Sequence, residues 1–116
     1  MSNTAVIWME YNSNVREEKR KMDRGIARGL YSVGAFVETE AKVRAAVDTG
    51  NLRSSISFNT EPRENAVAIG TNVHYAPHLE YGTEKMAPQP FLKPAVKENA
   101  GKIEAVFERA YKRGLL

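Results

Sequence analysis

"SSISFNTEPRENAVAIGTN", residues 54 to 72, decides the fold. Two short runs of alternating character, Ser54 to Glu61 and Asn65 to Asn72, flank the turn-forming tetrad "PREN". Alternation with period two sends successive side chains to opposite faces, so the pattern predicts an antiparallel hairpin. Ile56, Phe58, Val67 and Ile69 then share its core face. The rest of the chain must supply what covers that face.

Upstream, from Val15 to about Val47, the residues Met22, Ile26, Leu30, Val33, Val37, Ala41 and Val47 recur at helical steps and trace one face of a long helix. Glu17, Lys21, Arg24, Arg28, Glu38 and Lys42 occupy the other face. Gly25, Gly29 and Gly34 lie inside this helix, each costing about 1 kcal/mol relative to alanine. Gly25 and Gly29 are four apart and share a side, which predicts the close approach of another backbone. Further upstream, "TAVIWMEY" (Thr4 to Tyr11) is rich in β-branched and aromatic residues and reads as a strand. "NSN" (Asn12 to Asn14) then reads as a turn and helix cap.

Downstream of the long helix, "DTGNLRSS" (Asp48 to Ser55) reads as a glycine stop and a polar turn. Past the hairpin, His74 to Thr83 reads as one irregular helical turn ending at Gly82, and "EKMAPQP" as an extended, proline-fixed loop. Phe91 to Arg113 reads as the final helix, with Leu92, Ala95, Val96, Asn99, Ile103, Val106, Phe107, Ala110 and Tyr111 on one stripe. Pro94 is tolerated only in a first turn, so this helix starts near Pro90. The expected fold is a single α+β domain over residues 1–116. Its small antiparallel sheet, an N-terminal strand plus the hairpin at about 54–71, packs against a long helix at about 15–47 and a C-terminal helix at about 91–113.

The chain has 116 residues, 42% hydrophobic and 27% charged, the size and mix of one domain with a modest core. No apolar run approaches the ~20 residues of a bilayer span, and the N-terminus has its apolar residues before its basic ones, the reverse of a secretory signal. Synthesis in the cytoplasm is therefore expected. Cysteine is absent, so disulfides and thiolate chemistry are excluded. Seventeen basic residues stand against 14 acidic ones for a net charge of +3, largely interspersed, the pattern of a solvated surface.

His74 and His78 are four apart with Glu80 and Glu84 nearby, a spacing at which imidazoles on a helix can share a metal. Pro77 between them allows at most a first helical turn, and no general-base signature or third ligand accompanies the pair. Two surface or interface histidines is the better reading. Ser54 and Ser55 lack a glycine elbow, and phosphate-binding glycine loops are missing. The expectation is a protein that is not an enzyme and takes no cofactor or metal. Arg16 to Arg24 carries five basic and three acidic residues, alternating signs that usually mark a solvated helix face.

The remaining stretch, Asn72 to Ala95, combines two tyrosines, two histidines, a methionine, a phenylalanine and four prolines. Proline reduces the entropy lost on docking and the aromatic residues offer contact area, so the stretch suits a stiff docking surface. Phe91 and Leu92 are expected to anchor inward. Tyr75, His78, Glu80, Tyr81, Thr83, Met86, Gln89 and Pro90 are expected to face a partner or another copy of the chain.

Three motifs, "DTGNLRSSI" (Asp48 to Ile56), "VHYAPHLEYGT" (Val73 to Thr83) and "MAPQPFLKPAV" (Met86 to Val96), in this order and spacing, resemble the gene-product-ten-like family of minor tail components of long-tailed bacteriophages. The resemblance covers about the C-terminal half. Its motif positions fall on Asp48, Thr49, Gly50, Leu52 and Arg53; on Tyr75, Ala76, Glu80, Tyr81, Gly82 and Thr83; and on Gln89, Pro90, Phe91, Leu92 and Pro94. Asp48, Gly50, Leu52, Arg53, Gly82, Phe91, Leu92 and Pro94 are expected to serve the fold. His78 stands where relatives are expected to carry a larger aromatic residue, and the segment with Trp8 lies outside the signature.

The resemblance implies a structural virion protein of a phage or prophage, placed at the neck, the connector or the completed tail end, with no catalytic residue to carry over. A stiff self-complementary surface would suit a ring-forming homo-oligomer that docks to connector and tail proteins. Within the same class the rivals are a tail terminator and an assembly factor absent from the finished particle. Outside it the rivals are a small basic DNA-binding accessory protein, with non-specific nucleic-acid contact, and a metal enzyme using His74 and His78.

Overall fold

A computed structural model describes the backbone of residues 2–45 and 51–116, and side chains over 16–45 and 52–116. Among the described residues eight elements follow in order. Helix α1 is Ser2–Arg44 and α2 is Asn51–Ser55. Strands β1, Ser57–Glu61, and β2, Ala66–Gly70, are joined by a 3₁₀ turn, Pro62–Glu64. Helices α3, Ala76–Tyr81, α4, Leu92–Lys97, and α5, Ala100–Gly114, complete the chain. The architecture is α+β: a two-stranded antiparallel sheet and a C-terminal helical pair, both laid on the long helix.

The hairpin forms as its alternation dictates. Phe58 pairs with Ile69 and Thr60 with Val67, and these half-buried residues face α1 while Ser57, Asn59, Glu61 and Ala68 are exposed. Asn65 closes the turn with φ 52°, a left-handed conformation that asparagine tolerates, and its N–H donates to the Pro62 carbonyl at 3.1 Å. Ile56, just before β1, is 2% exposed and joins the core.

The glycines of α1 are docking notches. A methyl group on Gly25 would stand 2.8 Å from the Tyr111 ring, and one on Gly29 would stand 2.5 Å from the Phe107 ring. Residue numbers rise on α1 as they fall on α5, so the two helices run antiparallel. Phe107 and Tyr111 are themselves four apart and stacked, 5.8 Å between centroids. Two rings one turn apart thus enter two notches one turn apart, and the register of α5 on α1 is set. Gly34 forms a third notch, filled by Phe58 of the hairpin, whose ring also meets Tyr31 edge-on at 5.1 Å. Gly29→Ala, although alanine is the better helix former, is therefore expected to destabilise the fold by about 1–3 kcal/mol, because the stacked Phe107 cannot withdraw. Denaturant unfolding of the variant checks this.

The main core lies toward the far end of α1. Val37, Ala41 and Ala45 of that stretch meet Leu52, Ile56, Ala76, Phe91 and Ala95. Phe91 is the largest of its fully buried side chains, at 1% exposure. Arg44 fastens this end by pairing with Glu40 on its own helix and with Glu98 beyond α4, each at 2.7 Å.

Four local expectations need correction. Thr4 to Tyr11 is helical, not a strand: α1 begins at Ser2, and among the described residues the sheet has two strands. β-branched and aromatic residues favour a strand where an edge is there to receive it. An established helix instead gains one hydrogen bond for each residue added. The helix accordingly starts well before Val15. At its other end it closes at Arg44, and Val47 lies outside the described residues.

The polar turn after it contains the helical turn α2, which buries Leu52 at 2% exposure. Finally, the C-terminal helix is two helices, broken at Glu98 and Asn99. The buried Asn99 side chain donates to the Ala95 carbonyl at 2.9 Å, taking the acceptor that a continuous helix would use. The chain turns there and α5 swings onto α1.

Candidate functional site

The second and third sequence motifs, Val73 to Thr83 and Met86 to Val96, meet at α3 and the loop that follows it. Tyr75 starts α3 and packs half-buried against the core, its ring edge-on to His74 at 5.7 Å. Gly82 ends the helix with φ 78°, in the region only glycine adopts freely, and its N–H donates to the His78 carbonyl at 2.8 Å. A side chain at this position would also run into Pro88, at 2.9 Å. The loop then folds back on itself. Thr83 N–H donates to the Met86 carbonyl at 2.8 Å, and Gln89 N–H reaches back to the Leu79 carbonyl at 2.7 Å.

Glu80 completes the arrangement. Only 8% exposed, its carboxylate accepts the backbone N–H groups of Phe91, Leu92 and Lys93 at 3.1, 3.0 and 3.0 Å. These are amide groups that the start of α4 leaves without intrahelical partners. Burial pushes the Glu80 carboxyl up, but the amides of Leu92, Lys93 and Phe91 together with the Lys93 charge outweigh it and hold the group below the ordinary glutamate range. One side chain of α3 therefore ties both ends of the proline-rich loop. Pro94 falls in the first turn of α4, where its missing N–H costs nothing.

Of the residues expected to face outward, His78, Tyr81, Thr83, Gln89 and Pro90 are exposed, and Tyr75 and Met86 are half-buried. Glu80 is the departure, since it is spent inside the fold and is not offered to a partner. Tyr81 is 69% exposed, with the Lys93 ammonium 5.7 Å from its ring centre. Among the motif positions assigned to the fold, Leu52 and Phe91 are buried, and Arg53, Gly82, Leu92 and Pro94 are half-buried. Asp48 and Gly50 lie outside the described residues.

His74 and His78 are both exposed, and no cluster of three or more potential metal-ligating side chains occurs among the described residues. Two grooves escaped the sequence reading because their walls come from distant segments. One, between α1 and α5, is about 430 Å³ and lined by Arg28, Arg109 and Arg113 beside Tyr31. The other, about 450 Å³ and largely apolar, lies between α1, β2 and the C-terminal helices.

No helix among the described residues is long and apolar enough to cross a membrane. No curated protein and no solved structure matches the chain. The family model described as "Bacteriophage HK97-gp10, putative tail-component" matches residues 10–82, which takes in most of α1, the hairpin and all of α3. With well over half of its length matched, the chain belongs to this bacteriophage tail-component family.

Proposed function

We propose that the protein is a non-catalytic structural component of the virion, assembling as a ring at the head-to-tail interface and docking there to connector and tail proteins. The observation that carries this reading is the surface built by α3 and residues 82–90. The side chains of His78, Tyr81, Thr83, Gln89 and Pro90 are turned outward while the backbone is tied internally through Glu80, Gly82 and the Thr83–Met86 bridge. A surface held in one conformation loses little entropy on docking, and a heterologous contact that closes on itself gives a ring. Synthesis in the host cytoplasm and incorporation at the neck or completed tail end follow from the same reading.

Gln89→Ala and Tyr81→Ala test it. Both side chains are exposed, so each variant should melt within about 0.5 kcal/mol of the parent while assembling more weakly. Thermal melting beside sedimentation velocity separates the two effects. Unchanged assembly in both variants would count against this surface.

A second reading, contact with a nucleic-acid backbone, is favoured by the groove of Arg28, Arg109 and Arg113. None of the three has an ion-pair partner among the described residues. A gel shift that vanishes at about 0.2 M salt without sequence preference would assign that contact to charge alone.

A further inference from the structure

The apolar groove runs beside a bare sheet edge. Val33 and Val37 of α1, Val67 and Ile69 of β2, and Val96 and Ile103 of the C-terminal helices line it, and no residue of β1 does. Strand β1 occupies one edge of β2, so the groove lies along the other. In an antiparallel pair, alternate residues turn their N–H and C=O groups away from the partner strand. On β2 these outward groups have no backbone partner among the described residues. Natural sheets blunt such an edge with lysine, proline or a bulge. Ala66–Gly70 carries no charge and no proline, and its five residues pair with β1 in unbroken register.

Apolar walls and an open backbone edge together specify the occupant. A helix would cover the walls and leave the edge groups unpaired, whereas a strand satisfies both. In a strand laid beside β2, every second side chain drops toward α1 and the others face solvent. The five residues of β2 span about 16 Å, room for two or three inward apolar side chains. Glu104 also lines the groove, is exposed and has no ion-pair partner among the described residues. A lysine or arginine at one end of the incoming strand complements it.

The described residues of this chain offer no free strand of that kind. Strands β1 and β2 pair with each other, and residues 82–90 are tied to the Leu79 carbonyl and interrupted by Pro88 and Pro90, which have no N–H to donate. We propose that the groove receives an extended segment of a different protein, alternating apolar and polar with a basic residue at one end, which joins β2 as the third strand of the sheet. The proposal rests on the reading above, in which the chain docks to connector and tail proteins, and gives the form that one such contact takes.

The probe is a strand carried by the full chain itself. A lysine followed by alternating valine and threonine, about the length of β2, is appended after Leu116 through about 12 glycine and serine residues, whose span of about 19 Å matches the ~20 Å of helix back to Ile103. Hydrogen exchange of the β2 amides is then followed. At the effective concentration of about 1 mM that such a tether supplies, a groove with a Kd of about 0.1 mM should slow the outward-facing amides roughly tenfold. The same appendage with proline in place of each valine should give no slowing. Nor should the valine strand on a Val96→Glu body, whose altered position is 44% exposed and should leave the melting temperature unchanged.

Equal exchange with the two appendages, or slowing that survives Val96→Glu, would overturn the proposal. So would protection of the same amides in the unmodified chain as its concentration rises into the range where it assembles, because the occupant would then be a second copy. These results leave the ring reading standing. A strand-binding groove on a chain that stays monomeric at every concentration would instead support the proposal and sink the ring.

Discussion

Phe91→Ala is expected to destabilise the protein by about 3–5 kcal/mol, the range for emptying a fully buried aromatic site. Its ring is 1% exposed and lies in a core cluster to which α1, α2, α3 and α4 all contribute, so closing the cavity would require several elements to move. A domain of this size has about 5–15 kcal/mol of total stability. The variant should therefore unfold at a much lower denaturant concentration or fail to accumulate folded. Urea unfolding followed by far-ultraviolet circular dichroism gives the midpoint. A loss below about 1 kcal/mol would mean that the site collapses around the missing ring.

The second large effect is at Glu80. Glu80→Ala leaves three amide groups at the start of α4 without their acceptor, and bonds to a charged partner contribute about 1.5–3 kcal/mol each before partial solvation is allowed for. Water can reach the half-exposed positions, so a net loss of about 2–4 kcal/mol is expected. Glu80→Gln keeps the shape and one acceptor oxygen and should lose less.

The charge also makes stability depend on pH. The folded-state pKa lies below the ordinary value, so the carboxylate's contribution is complete above the unfolded pKa of about 4.3 and is lost as pH falls through the lowered folded value. Melting temperatures between about pH 6 and 3 should fall more steeply for the parent than for Glu80→Gln. Parallel curves would show that Glu80 is not the group responsible.

Much of this fold is legible in the sequence where a local rule has no competitor. The hairpin follows from alternation around "PREN", and the notches follow from glycines spaced by one helical turn. Where two rules compete, sequence alone does not rank them. Thr4 to Tyr11 satisfies strand composition, but whether it becomes a strand depends on a receptive sheet edge, which is a tertiary fact. Asn99 sits on an otherwise apolar stripe and counts as one polar exception. Its effect comes from a bond to Ala95 that interrupts the helix.

The candidate site divides in the same way. That the stretch before Phe91 is stiff can be read from its prolines. That Glu80 holds the stretch in place depends on meeting amides 11 to 13 residues away. The two grooves leave no local trace, since Arg28 and Arg113 are brought together only by the packing of α5 on α1.

The unbroken course of α1 also makes it a ruler with an azimuth. Each residue inserted between its first turns and Arg24 would advance the leading end by about 1.5 Å and swing it by about 100°. Seven inserted residues bring it almost back to its original bearing, about 10 Å farther out, whereas two or five leave it pointing to the opposite flank. Length changes in this stretch should thus be tolerated in a periodic series rather than in proportion to their size.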